Sequence, residues 1–343
     1  MTKTLYAGID VAKDKFDVTF TVDCSEFFNH QTITNDAGGF KKLVKEVKKL
    51  QKQLKAEGVH YCMEATGIYH CGLCEFLQER SDQVSVVNPV RTKSFSKSLM
   101  LRTKNDKVDS QMLSQYAFIH KPPITPKLPE SIKDFRVLVR YQEALIKDRT
   151  REISRFKSSL DKDIQKLIQK RINFTEKQLA EVLEKINNLV RENEFLKTQI
   201  KLLKTVDGIG DKVAWKLLSE LKFDSVENIS PKAQVAHAGL SPREFSSGSS
   251  VKSRSHISKM GNRGMRKVLY LPALGCLKNE NHFTAFYHRL IANGKSHRQA
   301  QIAVMRKMVL IGSAVLRNQQ PFDPNWARKT QEKHKEALMQ KAV

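Results

Sequence analysis

Four carboxylates constrain this chain most, because each lies where a strand ends or a helix begins. Asp10 and Glu64 each follow a short apolar strand, and Asp106 and Asp109 stand at the start of a helical run. Their three-residue spacing puts Asp106 and Asp109 on one helix face. Carboxylate oxygens are the ligands that Mg²⁺ takes, and bound metal ions stabilise the attacking and leaving oxygens of a phosphodiester. The four acids therefore predict a magnesium-dependent site that acts on nucleic acid.

Taken alone, the Asp106 and Asp109 pair is typical of a solvated helix start, since a helix N-terminus favours negative charge. The pair gains weight because Asp10 and Glu64 accompany it. The composition agrees with a polyanionic partner: 60 Lys and Arg residues stand against 36 Asp and Glu residues, which gives a net charge of +24. Such a charge attracts nucleic acid over long range.

Length and composition predict a folded cytoplasmic protein without a membrane span. At 343 residues and 40% hydrophobic content, the chain can form two or three domains with a real core. It contains no run of about 18 apolar residues, and its N-terminus leads directly into a strand. Five cysteines, an odd number, argue against a disulfide framework.

The first 120 residues alternate between strand and helix patterns. Three strands, a helix, a strand, a helix, a strand and a helix follow one another, and the acids lie at their ends. This is the element order of an RNase H-like α/β domain, in which early hairpins lead into parallel βα units.

A block of long helices follows, because residues 132–205 contain neither Pro nor Gly. Within it, apolar residues recur at alternating spacings of three and four, with Asn193 at an a position. A buried Asn there sets register, so the pattern favours self-association through a coiled coil. The alternative is an intramolecular hairpin, in which a helix from Phe135 to Ile168 packs back on this one. The heptad comprises Leu179, Val182, Ile186, Leu189, Asn193, Leu196, Ile200 and Leu203.

A glycine turn opens the last block. Gly208 and Gly210 flank Ile209 just before a helix, and this pattern resembles a helix-hairpin-helix turn whose backbone N–H groups can meet a phosphate. A plain connecting turn explains the same residues about equally well.

A basic segment with a Ser-rich loop follows. Residues 243–307 contain 13 Lys and Arg residues and two acids, which predicts a phosphate-facing surface. A hydroxyl in the loop of residues 246–250 could act as a nucleophile among cations, whereas the alternatives are simple phosphate hydrogen bonding or a flexible linker. The candidate nucleic-acid contacts, besides Gly208 and Gly210, are Arg243, Lys252, Arg254, Lys259, Arg263, Arg266 and Lys267.

The ordered set of motifs resembles the DEDD insertion-sequence transposases, which are related to the Piv-type site-specific inversion recombinases. The likeness runs from about residue 5 to Asp323. Its motifs are residues 8–13, residues 64–69, Asn88-Pro89, residues 104–109, residues 208–210, residues 239–243 and residues 247–250.

The resemblance implies a RuvC-like, RNase H-like domain at 1–130 that carries the four acids. A coiled-coil domain at 131–205, a mainly helical transposase domain at 206–325 and a basic tail at 326–343 would follow. The first serine of the Ser-Gly-Ser-Ser motif, Ser247, matches the nucleophile of the family. The resemblance also implies donor and target DNA as substrates, a structured guide (bridge) RNA, and a homo-oligomer, a dimer or tetramer.

The mechanism expected from these features joins two sites. Ser247 would attack a phosphodiester to give a phosphoserine and a free 3′-hydroxyl, assisted by Mg²⁺ on the four carboxylates, and strand exchange would reverse that attack. The long helices would allow one subunit's serine to work beside another's metal ions. One rival is a hydrolytic RuvC-like nuclease or Holliday-junction resolvase that uses metal-bound water. The other, a non-enzymatic RNA-binding scaffold, leaves the four acids unexplained.

Overall fold

The computed structural model describes residues 3–100, 103, 105–220, 231–243, 246–247, 251–252 and 256–325, with the backbone alone at 246–247 and 251–252. Arg254 and the predicted tail at 326–343 lie outside the described residues. The chain divides into two compact units, Met1–Lys127 and Leu128–Val343.

The first unit is a mixed sheet with helices on both faces. The strand order is β3-β2-β1-β4-β5; β1 pairs in parallel with β4, β4 pairs in parallel with β5, and the remaining pairs are antiparallel. The elements are β1 (Lys3–Val11), β2 (Lys15–Thr21), β3 (Phe28–Thr34), α1 (Ala37–Leu54), β4 (Ala56–Glu64), α2 (His70–Glu79), β5 (Gln83–Val87), α3 (Pro89–Ser98) and α4 (Asp106–His120).

The predicted order of strands and helices is confirmed, and one helix was missed. Asn88 caps α3 by accepting a hydrogen bond from the Val90 amide at 2.8 Å, and Pro89 occupies the first helical position. Proline is well tolerated there, since its missing N–H has no helical partner to lose. The sequence analysis predicted no helix at this position.

Side-chain alternation along β1 decides which residues meet which helix. Leu5 and Ile9 are fully buried in the core formed with α1 and α2. Tyr6 belongs to the core on the opposite face, which α4 covers. Because strand side chains alternate between faces, Gly8 and Asp10 share the face of Tyr6. The first carboxylate therefore lies on the side of the sheet that carries α4.

The second unit is helical, with short paired strands. One core joins helices from both predicted segments, 131–205 and 206–325, and includes Phe135, Ile186, Leu217 and Met308. The elements are α5 (Glu130–Ser158), α6 (Lys162–Glu192), α7 (Glu194–Leu203), α8 (Asp211–Glu220), α9 (Pro231–His237), β6 (Pro242–Arg243), β7 (Ser246–Ser247), β8 (Val251–Lys252), β9 (His256–Ile257), α10 (Arg263–Gly275), α11 (His282–Ala292) and α12 (His297–Asn318).

The long-helix block is an intramolecular hairpin. The predicted helix from Phe135 to Ile168 is wrong, because α5 ends at Ser158 and Asp161 caps α6 by accepting hydrogen bonds from two backbone amides. Ion pairs then join α5 to α6 in antiparallel order: Arg149 meets Glu176 at 2.6 Å, and Arg171 meets Glu152 at 3.2 Å.

Asn193 does not occupy a coiled-coil core position, so that prediction is wrong. The backbone leaves the helical conformation at Asn193, and its side chain accepts a hydrogen bond from the Leu196 amide at 2.9 Å as the N-cap of α7. Val182 and Ile186 of the predicted heptad are buried inside their own unit. A homo-oligomer stays a prediction, and the residues of the predicted heptad do not support it.

Among the described helices, α12 has the length and apolarity of a membrane span. Half of its apolar stretch is buried, and Val304, Met308 and Val309 are fully enclosed in the core of the second unit. A buried apolar helix of this kind is typical of a protein core.

A buried charge cluster ties α8 to α5. The Lys216 ammonium lies 2.7 Å from Glu143 and 3.0 Å from Glu220, and Arg140 donates two further hydrogen bonds to Glu220. Burial would raise the pKa of Glu220, but the hydrogen bond from Arg140 and the charge of Lys216 lower it to about 2. A single missing partner would leave a buried charge uncompensated.

We predict that Lys216→Met lowers the free energy of unfolding by about 3 kcal/mol, because the buried Glu220 carboxylate loses a partner. Lys212→Met, an exposed position on the same helix, is the control and should change stability little. Urea unfolding followed by circular dichroism measures both variants. Equal midpoints for the two would contradict this account of the cluster.

Candidate active site

Asp10 and Glu64 lie side by side at the ends of two parallel strands. β1 and β4 pair with Ile9 opposite Met63, so the next residue on each strand is one of the two acids. Both acids are half-buried. Glu64 accepts a hydrogen bond of 2.8 Å from the hydroxyl of Thr92, a fully buried residue of α3. The helix that the sequence analysis missed thus orients one predicted carboxylate.

Asp106 and Asp109 occupy the first turn of α4. Asn105 caps this helix by accepting a hydrogen bond from the Val108 amide at 2.8 Å, which fixes where the first turn begins. Asp106 is exposed and Asp109 half-buried. Both acids face the positive end of the helix dipole, as the sequence predicts.

Gly8 allows α4 to lie directly against β1. A β-carbon at Gly8 would overlap the carbonyl oxygen of Ser110 and the amide nitrogen of Ser114, so the helix backbone touches the strand here. A buried hydrogen bond of 2.7 Å between the hydroxyls of Thr19 and Ser110 joins α4 to β2. These contacts set the first turn of α4 beside the strand ends.

Asp10 is affected by the charges of the other three predicted acids. The pKa of Asp10 is raised from 3.8 to about 6, first by burial and then by the negative charges around it. Like charges disfavour ionisation of a carboxyl group. The charges that raise it are, in decreasing order, those of Asp109, Asp106, Glu64 and Asp17.

Lys15 is a cation in this cluster that the sequence analysis did not name. Its ammonium lies 2.9 Å from the Asp106 carboxylate and 3.6 Å from Asp17. The hydrogen bond from Lys15 lowers the pKa of Asp106, and the same bond raises the pKa of Lys15. The sequence pattern that could have revealed Lys15 is the alternation along β2: Lys15 and Asp17 flank a buried Phe16 and therefore share one face of the strand.

Asp17 is a fifth acid, also missed. It lies directly opposite Asp10 in the β1–β2 ladder and is only 3% exposed. The Thr32 hydroxyl donates to it at 2.6 Å, and Nε2 of His30 lies 3.0 Å from it. These partners hold Asp17 in the sheet, which makes it a support for the four predicted acids.

The four acids are of the chemical type that a divalent cation prefers as ligands. Asp10, Glu64, Asp106 and Asp109 offer hard carboxylate oxygens, and the raised pKa of Asp10 reports negative charge that a cation would relieve. Across the described residues, however, no group of three or more His, Cys, Asp or Glu side chains forms a ready-made metal cluster. The charges of the four acids therefore act on one another, but the four side chains do not form a complete set of metal ligands.

Ser247 lies in a hairpin of the second unit. β7 pairs in antiparallel fashion with β8, which sets Ser246 opposite Lys252 and Ser247 opposite Val251. Residues 248–250, between the two strands in the sequence, lie outside the described residues. Ser247 is thus the last residue of β7.

The predicted nucleic-acid contacts of the second unit differ in what they touch. Arg243, Lys259, Arg263 and Lys267 are exposed. Arg266 is half-buried, and its guanidinium donates a hydrogen bond of 3.1 Å to the Ala238 carbonyl. Arg266 therefore supports the turn after α9, whereas the exposed cations face solvent.

The two glycines of the glycine turn have different surroundings. Gly208 has a positive φ of 78°, and a β-carbon there would lie 3.2 Å from Cys276 and Met308, so this glycine packs on the core. A β-carbon at Gly210 would meet nothing within 4 Å. Gly210 is exposed and directly precedes α8, where its carbonyl accepts a hydrogen bond from the Ala214 amide at 2.9 Å.

Comparison with known proteins shows which family this chain belongs to. A DEDD-type transposase model of IS110 matches residues 7–164, and a model described as "Transposase IS116/IS110/IS902 family" matches residues 200–288. The pilin gene-inverting proteins of Moraxella bovis and Moraxella lacunata are each 32% identical over 328 residues, which span 94% of this chain and 98% of theirs. The chain belongs to the IS110/Piv-related transposases. An uncharacterized 43.6 kDa protein of insertion element IS110 from Streptomyces coelicolor is 29% identical over 117 residues, 34% of this chain and 28% of that protein.

Membership makes this transposase a DNA-acting enzyme of the transposase/recombinase class. Its N-terminal α/β unit is the RNase H-like domain of the DEDD type, which implies dependence on a divalent metal cation. The predicted fold class of this unit and the predicted transposase identity are confirmed.

We predict that Gly8→Ala in this transposase lowers the free energy of unfolding by about 1–3 kcal/mol or more, because the added methyl group must push α4 away from β1. Gly58→Ala on β4 is the matched control, since its β-carbon would approach Thr4 at an ordinary 4.0 Å. Thermal unfolding compares the two. A Gly8→Ala protein as stable as Gly58→Ala would disprove the close approach.

Proposed function

We propose that this transposase exchanges DNA strands by a covalent serine mechanism that the four carboxylates assist. The placement of Asp10 and Glu64 at the adjoining ends of β1 and β4, with Asp106 and Asp109 on the first turn of α4, supports the proposal, because negative charges that raise the pKa of Asp10 favour a cation or a reacting group that compensates for them. A divalent cation, Mg²⁺ in our proposal, would neutralise charge on the scissile phosphate.

In the proposed step, the Ser247 oxygen forms a bond to phosphorus and its hydroxyl proton is released. The bond between phosphorus and the 3′-oxygen breaks, and that oxygen takes up a proton to leave a free 3′-hydroxyl and a phosphoserine. Attack of a 3′-hydroxyl on the phosphoserine reverses the step and joins a new strand. The number of phosphodiester bonds is conserved, so no nucleotide cofactor is needed.

We further propose that a structured guide RNA selects donor and target DNA, and that the enzyme works in the cytoplasm as a homo-oligomer. The net charge of +24 supports a second polyanion beside DNA. The likeness of motifs over nearly the whole chain supports the guide and the oligomer. Sequencing of RNA that co-purifies with the protein tests the guide directly: one recurrent structured RNA supports it, and bulk cellular RNA alone contradicts it.

The carboxylates should each be essential for recombination. We predict that Asp10→Asn, Glu64→Gln, Asp106→Asn and Asp109→Asn each abolish strand exchange in Mg²⁺ and leave nucleic-acid binding intact, since each removes one oxygen-ligand charge. Glu57→Gln, an exposed position on the same strand as Glu64, is the control and should recombine normally. Wild-type rates in all four variants would exclude the proposed site.

Ser247→Ala separates a recombinase from a hydrolytic nuclease. If the serine is the nucleophile, the variant should bind nucleic acid but lose cleavage and exchange by orders of magnitude. A nuclease that uses water would lose only a hydrogen bond of about 1 kcal/mol, or several-fold in rate. A nicked suicide substrate should also trap an adduct on Ser247. Ser246→Ala, Ser249→Ala and Ser250→Ala are the controls, and an adduct on another serine would move the nucleophile.

The exposed cations of α10 should contact phosphate. Arg263→Glu or Lys267→Glu should weaken binding of every DNA sequence alike and reduce the salt slope by about one unit per lost contact. Arg317→Glu, exposed on α12, makes the same charge change and is the control. A variant that switches sequence preference at constant salt slope would show that these residues contact bases.

A further inference from the structure

A groove on the α5–α6 hairpin has no role in the proposed catalysis. It has a volume of about 620 Å³, within the range of small-ligand sites. It lies in the second unit, between the C-terminal half of α5 and the first half of α6. The side chains that bear on its chemistry are Arg151, Glu152, Arg155, Lys170, Arg171 and Phe174.

The rim of the groove is positively charged. Arg151, Arg155, Lys170 and Arg171 contribute four cations, and Asp148 and Glu152 contribute two acids, so the lining carries a net charge of +2. The three arginine side chains are each more than half exposed although each also pairs with an acid. Their remaining guanidinium N–H groups are free to reach a phosphate at the surface.

The buried acid in the groove favours a hydrogen-bond donor on the ligand, whereas the arginines favour a phosphate. Glu152 is 4% exposed, and its Oε1 pairs with Arg155 at 2.7 Å and Arg171 at 3.2 Å. Its other oxygen, Oε2, is buried and has no hydrogen-bond partner within the described part of the chain. An unsatisfied buried acceptor is unfavourable, and an anion there would be repelled. A ligand that fits must bring an N–H donor to Oε2.

Phe174 supplies a flat apolar face beside that acceptor. It lies one helical turn after Arg171, lines the groove and is 63% exposed. An exposed aromatic ring next to arginines is the usual platform on which proteins stack unpaired bases. Phosphate contacts, a stacking face and a buried acceptor together match a nucleotide.

We propose that this groove binds one unpaired nucleotide of a nucleic-acid strand. The base stacks on Phe174 and donates an N–H hydrogen bond to Oε2 of Glu152, and the adjoining phosphates lie on Arg151, Arg155, Lys170 and Arg171. The inference rests on the proposed function only in that the partner is nucleic acid. The groove needs neither the carboxylates of the first unit nor Ser247.

Binding by the full-length Asp10→Asn protein tests the groove without cleavage. Fluorescence anisotropy would measure labelled 12-nucleotide single strands of RNA and of DNA, and a DNA duplex as reference. Phe174→Ala should weaken single-strand binding about tenfold, the effect of one lost base stack, and leave duplex binding unchanged. Phe195→Ala, an aromatic residue of α7 that is 45% exposed, is the matched control.

A second pair of variants tests the acceptor. Glu152→Gln replaces an oxygen by a donor and should weaken single-strand binding several-fold. Glu176→Gln, which breaks the ion pair between Glu176 of α6 and Arg149 of α5, should change single-strand binding little. Circular dichroism would confirm that each variant is folded.

Photo-crosslinking locates the nucleotide. Strands that carry 4-thiouridine or 4-thiothymidine should crosslink to the tryptic peptide of residues 172–177, which contains Phe174. If only the RNA strand or only the DNA strand crosslinks, that result identifies which nucleic acid binds in the groove. Equal binding by Phe174→Ala and Phe195→Ala, or no crosslink on this peptide, overturns the proposal. Loss of cleavage in Ser247→Ala bears on the proposed function and not on this groove.

Discussion

The arrangement of the candidate active site depends on a close approach between one helix and one strand. At Gly8, the backbone of α4 takes the space that a side chain would fill, and its Ser110 and Ser114 backbone atoms lie against β1. The buried bond between Thr19 and Ser110 and the core contacts of Leu113 hold the helix there. Because Asp106 and Asp109 stand on the first turn of the same helix, their distance from the strand ends follows from this contact.

The cost of the arrangement is electrostatic. Negative charges that the fold brings together repel one another, and the raised pKa of Asp10 records that repulsion. Lys15 offsets part of it through Asp106, and hydrogen bonds from Thr32 and His30 keep Asp17 in place. The rest of the unit must supply the stability that the acids remove, which the continuous apolar core around the sheet can do. A fold without a use for these charges would have little reason to gather them.

The sequence predicted the parts of this structure that follow from periodicity and chain order. Short apolar runs located β1 and β4, alternation located β2, and the acids at the ends of β1 and β4 were predicted to belong to the site. Lys15 was missed because a lysine at a strand start is usually solvated, and only the fold shows that it faces Asp106. Thr92 was missed along with its helix.

The errors in the helical block share one cause. Asp161 caps α6 shortly after α5 ends, and Asn193 both ends α6 and caps α7, without a proline or glycine to mark either break. Asn193 also satisfies a heptad, so hydrophobic spacing and capping gave conflicting interpretations, and the capping hydrogen bond to Leu196 prevailed. Arg266 carried the same charge as its exposed neighbours, and only the fold distinguishes its hydrogen bond to a carbonyl oxygen.

Our central proposal is that four carboxylates from two strands and one helix bind a single cation. Isothermal titration of the full-length protein with Mn²⁺ tests it most directly, because binding is measured apart from catalysis and from nucleic acid. We expect wild type and Glu57→Gln to bind the ion alike, and Asp10→Asn, Glu64→Gln, Asp106→Asn and Asp109→Asn each to weaken binding at least tenfold, on the order of 1.4 kcal/mol. Unchanged binding in all four variants would contradict the claim.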